Sequence, residues 1–410
     1  MNRRTTLLFA LTCAVAVGNL YFPQAIVPLI ATGLGTTADS AALTVTATQA
    51  GYTAGMFLLV PLGDRLRHRS LLVALLTLAG LSLLAAGCAP DLPFLVAASA
   101  VTGFTTVAAP LISPLAATLT DEGRRGAVLG TLASGSIGGM LLVRTFSGSL
   151  GEWWGWRVPY VVAAFATLLL AVALSRVVPV LPPPSRSRYP ALLAEPLRLL
   201  RTEPELRRSC LYQATVFAGF SAVWTCLAFQ LTGPAYGMGA QAVGLLALVG
   251  SATMLCAPLA GRLVDRQGPG PVNTVCLLAV LVSAGILVAG GLGGAHGFAA
   301  LIAGTLLLDV AMQCGMIANT TRVYALRPDA RSRLNTAFMT CAYLGGTAGS
   351  WLGARTYGVA GWWGVPALVA ALTLVALGRH AVAPRGMPSS VRRDAPGGPR
   401  CAPGSSVPQR

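Results

Sequence analysis

Long apolar runs recur along the whole chain, and they leave it few ways to fold. Twelve are found, at 6–30, 45–62, 70–88, 93–118, 126–150, 158–178, 209–232, 240–260, 272–292, 297–318, 334–354 and 362–378. A bilayer core takes about 20 apolar residues per helical crossing, and every run is close to that length. In hydrocarbon each backbone N–H and C=O must be satisfied within the structure, which runs of this length achieve as helices. A water-facing fold is excluded by composition: only 10% of the 410 residues are charged, where soluble domains carry about 25%. The expected fold is all-α, with twelve transmembrane helices. The first run follows Arg3 and Arg4 as a secretory leader would. It is too long for a leader and eleven more runs follow, so it reads as an uncleaved span.

The net charge of +16 comes from 29 basic and 13 acidic residues, and every basic residue is Arg. Crossing the bilayer twelve times puts both termini on one side, and 26 of the Arg residues fall on that side. Only Arg157 and Arg355 fall opposite, and Arg144 lies within a span. Positive residues mark the cytoplasmic face, so both termini and the central loop are expected in the cytoplasm of a cell whose inner (plasma) membrane holds the protein. The basic balance thus sets orientation and implies no nucleic-acid partner. Nine Cys show no CxxC or metal-ligand spacing, and no metal or cofactor is implied. A chain without Lys has no GxxxxGKS/T phosphate loop, which excludes an ATP-driven pump of that type. A membrane-embedded prenyl or acyl transferase would need clustered carboxylates or His, and none are grouped so; the expectation is no enzyme.

Six runs precede residue 178 and six follow residue 209, giving a six-helix bundle at 1–178 and a second at 209–380. The segment 179–208 begins Pro-rich. Its later part alternates Leu192, Leu193, Leu197, Leu200 and Leu206 with Arg, as a helix on the membrane surface would. Residues 381–410 are mostly Pro, Gly, Ser and Arg, the composition of a disordered tail. The halves repeat each other. PLGDRLRHR follows the second run and GRLVDRQGPG the eighth; Gly138-Gly139 and Gly345-Gly346 occupy the fifth and eleventh; WWGWRVP and GWWGVP open the sixth and twelfth. Internal duplication of a multi-span chain is a transporter signature, with the substrate bound near the midplane between the repeats.

Of the thirteen acidic residues only Asp309 lies inside a span, and His68, His296 and His380 all lie outside. A charge at the bilayer centre costs on the order of 3 kcal/mol on insertion scales, so it is retained for a function. Asp309 is the candidate proton carrier, because a buried carboxyl can load and release a proton. The competing role is structural, a carboxylate paired with Arg144 or capped by Asn319 or Gln313. Arg144, in the outer third of the fifth run, leaves three roles open: binding an anionic group, tuning Asp309, or reaching outward as an anchor. Asn19, Tyr21, Gln24, Gln213, Phe217 and Trp224 on the first and seventh runs, with Gln313 and Asn319 on the tenth, are candidate lining residues of a substrate cavity.

The loop sequences resemble the Gly-x-x-x-Asp-Arg-x-Gly-Arg-Arg motif of the major facilitator superfamily. Gly63, Asp64 and Arg65, with Arg67 and Arg69, approximate the first copy; Val60 stands at its leading Gly and Arg67 at its second. Gly261, Asp265, Arg266 and Gly268 form the second copy. NLYFPQAIVPLI at 19–30, LLVRTFSG at 141–148 and LDVAMQCGMIANTTRVYAL at 308–326 resemble the bacterial drug-and-metabolite efflux branch. The fifth run has the Gly residues of the antiporter motif without its Pro. The resemblance implies two pseudo-symmetric bundles working as a monomer, with protons and a small organic molecule as ligands and membrane lipid as surroundings. It implies proton-coupled efflux, with a proton-coupled uptake symporter as the alternative. It also implies a conformational latch, Asp64 reaching toward Arg331 and Arg333 and Asp265 toward Arg124 and Arg125.

Overall fold

The computed structural model describes residues 2–179, 181, 188–250, 253–327 and 330–381. Most of the tail read as disordered and the Pro-rich start of the central loop lie outside these residues. Among the described residues there are sixteen α-helices and no strand. The first run is α1 (Arg3–Tyr21) with α2 (Pro23–Gly33), the second α3 (Ala38–Leu58) and the third α4 (His68–Gly87). The fourth is α5 (Leu92–Thr105) with α6 (Ala108–Thr118), the fifth α7 (Glu122–Trp154) and the sixth α8 (Arg157–Val177). After α9 (Tyr189–Thr202) come α10 (Pro204–Thr232), then α11 (Gln241–Gly250) with α12 (Thr253–Gln267), and α13 (Pro269–Ala289). The chain closes with α14 (Gly294–Leu326), α15 (Arg331–Ala360) and α16 (Gly364–Ala381).

Among the described residues all twelve expected runs are helical, but the first and fourth are not continuous. Proline has no N–H to bond the carbonyl four residues back, and its ring crowds that carbonyl. Pro23 therefore restarts the helix after Phe22, and Pro110 leaves Thr106 at the break between α5 and α6. Nine helical stretches of the described residues are long and apolar enough to cross a membrane by length and composition; α15 and α16 count there as one. Helix α3 is not among them, because it carries Thr44, Thr46, Thr48, Gln49 and Thr53. Several of these polar groups meet other helices rather than lipid: Thr46 Oγ1 bonds Ser350 at 3.2 Å and Thr53 Oγ1 bonds Thr347 at 3.3 Å.

Between lipid-embedded helices hydrophobic association is weak, so close backbone approach has to hold them. The two halves do this in the same way. A Cβ added to Gly135 or Gly139 on α7 would collide with the carbonyls of Ala10 and Ala14 on α1. A Cβ on Gly345 or Gly349 of α15 would collide with the carbonyls of Ala214 and Ala218 on α10. The duplication seen in sequence is thus a duplicated helix clamp, α1 on α7 and α10 on α15. Gly130 and Gly138, which share the small-residue pattern, face open space. Helix α9 lies across the end that carries the termini. Its Tyr189 hydroxyl donates to the Leu58 carbonyl at 2.6 Å, Glu195 lies 3.9 Å from Arg333, and Leu199 packs with Leu334 and Phe338.

Candidate functional site

Three helices bring the two charged residues of the spans together: α7 carries Arg144, α14 carries Asp309, and α10 places Trp224 between them. Arg144 is 0% exposed and Asp309 3%. The guanidinium carbon of Arg144 stands 4.1 Å from the Trp224 ring centre, 5.1 Å from that of Tyr21 and 5.7 Å from that of Phe220. At the indole's edge, Trp224 Nε1–H donates to Asp309 Oδ1 at 3.0 Å. Gln24 Oε1 accepts from Arg144 Nε at 3.0 Å and from Nη2 at 2.8 Å. Arg144 Nη1 and Asp309 Oδ2 are buried with no hydrogen-bond partner. Asp309 is therefore neither ion-paired with Arg144 nor capped by Gln313 or Asn319; the indole holds it. Full burial also leaves Arg144 no outward reach to the interface.

Below this cluster, toward the end carrying the termini, lies a cavity of about 160 Å³. It runs between the halves, with Val17 and Tyr21 of α1 and Ser136, Ile137 and Met140 of α7 on one side. Gln213 and Phe217 of α10, Met312, Gln313 and Met316 of α14, and Ala342 and Tyr343 of α15 form the other. Among the described residues no charged side chain lines it. Met312 and Gln313 follow Asp309 by one helical turn and Met140 precedes Arg144 by one, so the cavity ends against the charged cluster. Of the sequence candidates, Tyr21, Gln213, Phe217 and Gln313 line this cavity. Gln24 and Trp224 instead belong to the cluster. Asn319 is one step back, its Nδ2 donating to Gln213 Oε1 at 3.3 Å and its Oδ1 accepting from Asn273 at 2.9 Å. Asn19 does not reach the cavity: its amide donates to Thr167 Oγ1 at 3.0 Å and Thr106 Oγ1 at 3.5 Å, inside the first half.

The loop-motif residues are not joined as a closed latch. Asp64 is half-buried in a short 3-10 turn (Pro61–Asp64), with His68 and Arg333 as its charged neighbours. Burial pushes its carboxyl above the usual carboxylate value, and His68 and Arg333 pull the other way without cancelling this. Arg333 lies beside Glu195 of α9. Gly63 packs against Leu111, Arg65 is exposed, and Gly261 faces open space. Asp265 and Arg266 are exposed, and Asp265 makes no ion pair among the described residues. Arg125 Nε donates to the Ala117 and Thr120 carbonyls at 3.0 and 3.1 Å.

On the other side of the cluster the halves are joined, by residues that the sequence reading did not single out. Glu152 Oε2 accepts from the Ala240 N–H at 2.7 Å, just before α11. Thr145 Oγ1 donates to the Gly244 carbonyl at 2.7 Å, Ser221 to Gln49 Oε1 at 2.9 Å, and Arg355 lies 3.6 Å from Asp39. The available signal was the polar density of the second run. A cavity on one side of the cluster and hydrogen-bonded contacts between the halves on the other fit one state of a two-ended carrier.

Residues 7–293 match the family model described as Major Facilitator Superfamily. The chain belongs to that superfamily. Among its relatives, the putative uncharacterized transporter YgaY of Escherichia coli (strain K12) is 36% identical over 370 residues, 90% of this chain and 93% of that protein. The probable transporter SCO4007 of Streptomyces coelicolor is 34% identical, covering 92% of this chain and 87% of that protein. A chloramphenicol resistance protein of Streptomyces lividans is 32% identical over 63% of this chain and 67% of its own. In fold, the nucleoside transporter NupG superposes with a TM-score of 0.75 at 13% identity, over 93% of this chain and 99% of that one. As a superfamily member the chain is a multi-pass membrane transporter.

Proposed function

We propose that the protein is a proton-coupled secondary transporter that exports a small organic compound by alternating access, with Asp309 as the proton carrier. The observation that carries this is the half-satisfied carboxyl at the end of the cavity. A hydrogen bond to a charged group contributes about 1.5–3 kcal/mol. Removing a carboxylate from water costs several kcal/mol. With one such bond from Trp224 and Oδ2 unpartnered, Asp309 is poised to exchange a proton with whatever enters the cavity. Uncharged walls of Met, Phe and Tyr suit a neutral or amphipathic molecule. Export, rather than uptake, rests on likeness to the efflux branch, including the partial match to the chloramphenicol resistance protein.

Arg124, Arg125, Arg322, Arg327, Arg331 and Arg333 share the cavity's side of the cluster with both termini, so that side is the cytoplasmic one by the positive-inside rule. The two halves, 1–178 and 209–380, would rock about the cluster, with α9 and the Asp64 turn as the elements that change partners at the cytoplasmic end. The test is transport in proteoliposomes with an imposed pH gradient, screened over a panel of neutral and amphipathic compounds. Counter-movement of compound and protons supports export by exchange; co-movement identifies the uptake symporter. Compound movement indifferent to the pH gradient removes the proton from the mechanism.

A further inference from the structure

Away from the cavity, the termini-bearing ends of α10, α13, α14 and α16 meet around two arginines. Arg208 Nε donates to the Tyr212 hydroxyl at 2.7 Å, its Nη1 lies 3.4 Å from Glu205 Oε1, and its Nη2 lies 3.3 Å from His380 Nδ1. The Tyr212 hydroxyl is 3.0 Å from the same Nδ1, and His380 Nε2 is 2.8 Å from Thr274 Oγ1. With donors from Arg208 and Tyr212 both facing Nδ1, the imidazole fits here as the neutral Nε2–H tautomer and adds no charge. Arg322 of α14 lies within electrostatic reach of Arg208 and Glu205. Its Nη1 is buried and has no hydrogen-bond partner, and its Nη2 points to the start of α13, 4.0 Å from where a Gly270 Cβ would stand. That helix opens Pro269-Gly270-Pro271, so Gly270 is the one N–H donor among its first three residues. Two guanidinium groups therefore share a single carboxylate, and Glu205 is already engaged by Arg208 and 47% exposed.

A buried charged donor without an acceptor costs more than the 1–3 kcal/mol or so of a neutral one. Planar guanidinium donors match the geometry of phosphate oxygens. We infer that Arg322, with Arg208 and beside the start of α13, forms a binding site for a phosphate group at this end of the second half. The group is either the headgroup of an anionic lipid or a soluble phosphate. No proton or transport step is assigned to the site, so it stands whether or not Asp309 couples protons.

The test uses the full chain purified in detergent. In one arm, native mass spectrometry measures retention of phosphatidylglycerol against phosphatidylcholine. In the other, the thermal midpoint is followed as inorganic phosphate replaces chloride at equal ionic strength. Wild type is expected to prefer the anion in one arm, which names the source. Arg322→Gln should weaken that preference about tenfold or more, Arg322→Lys, keeping the charge but losing the fork, by less, and Arg198→Gln, an exposed charge on α9, not at all. Should Arg322→Gln not fold, Arg322→Lys and Arg208→Gln carry the comparison. Equal anion preference in wild type and these variants, equal loss in Arg198→Gln, or no preference in either arm overturns the site.

Discussion

Replacing Asp309 by Asn separates a proton carrier from a scaffold. The Asn side-chain carbonyl can still accept from Trp224 Nε1–H, which now holds Asp309 Oδ1 at 3.0 Å. The exchange trades a hydrogen bond to a charged group for a neutral one, a loss of about 1 kcal/mol. Against this stands the relief of a buried carboxyl, so the fold should be close to indifferent and the thermal midpoint should move by no more than about 2–4 °C. The functional effect is larger. One proton crossing a gradient of one pH unit supplies about 1.4 kcal/mol, enough for a tenfold concentration ratio of a one-to-one partner. In proteoliposomes the wild type should approach that ratio. Asp309→Asn should fall to a ratio near one, while compound-for-compound exchange at equal pH stays within a few-fold of wild type. A mutant that still accumulates compound about tenfold per pH unit would refute the assignment and place the proton elsewhere.

Asp64→Asn should slow transport at near-normal expression, because Asp64 sits where the halves exchange partners; native transport rates in this variant would sink the latch. It also has a pH signature. Because the folded value of Asp64 is raised above 3.8, the protein loses stability as pH rises through that value, so Asp64→Asn should match wild type at about pH 3 and gain on it toward about pH 7. Thermal midpoints across that range test the sign; a constant difference would contradict it. Glu152→Gln weakens the charge-assisted bond to Ala240 N–H by about 1 kcal/mol, favouring the outward-open state several-fold; alkylation from outside of a cysteine replacing Thr46, in a background without reactive native cysteines, should rise accordingly. Gly139→Val and Gly345→Val each force α1 from α7 or α10 from α15 and should cost about 1–3 kcal/mol or more, seen as lost monodispersity; unperturbed protein would discount the clamp.

Much of the fold was legible because lipid removes alternatives. Each apolar run had to be helical, and the duplication was visible in three pairs of short segments. What periodicity could not show was the interruption of the first and fourth runs, although Pro23 and Pro110 mark both. Nor could it say which glycines of the fifth run carry the clamp. Gly135 and Gly139 share one face and meet Ala10 and Ala14, whereas Gly138 is turned about a quarter of a turn away into open space. Asp309 stood out as a lone charge among apolar neighbours. Its partner did not, because α10 and α14 meet only through the packing of the second half, 85 residues apart in sequence. Trp224 and Gln24 read as cavity wall for the same reason: polarity and aromaticity mark a side chain as inward-facing without saying which inward space it fills.

The chain of contacts through the cluster has a division that bears on coupling. Gln24 and Arg144 belong to the first half and are joined by two hydrogen bonds; Trp224 and Asp309 belong to the second and are joined by one. Between the pairs lie the guanidinium contacts with the Trp224 and Phe220 rings, 4.1 and 5.7 Å from the ring centres, and no hydrogen bond. A hydrogen bond weakens steeply with misalignment. A cation over a ring is held by a broad attraction of about 2 kcal/mol when desolvated. It can therefore slide as the halves rock, without leaving a buried donor stranded at each step. Within each half the bonds can stay made through the cycle. Under the proposed coupling, a carboxylate at Asp309 would draw Arg144 toward it past the indole edge, holding the halves together at this depth; a protonated Asp309 would release that attraction and leave only the cation–ring contact. The proton would thus act, under that coupling, on the boundary between the halves. The duplication supplied a matching clamp to both halves, and the chemistry was then divided, a cation to one and an acid to the other.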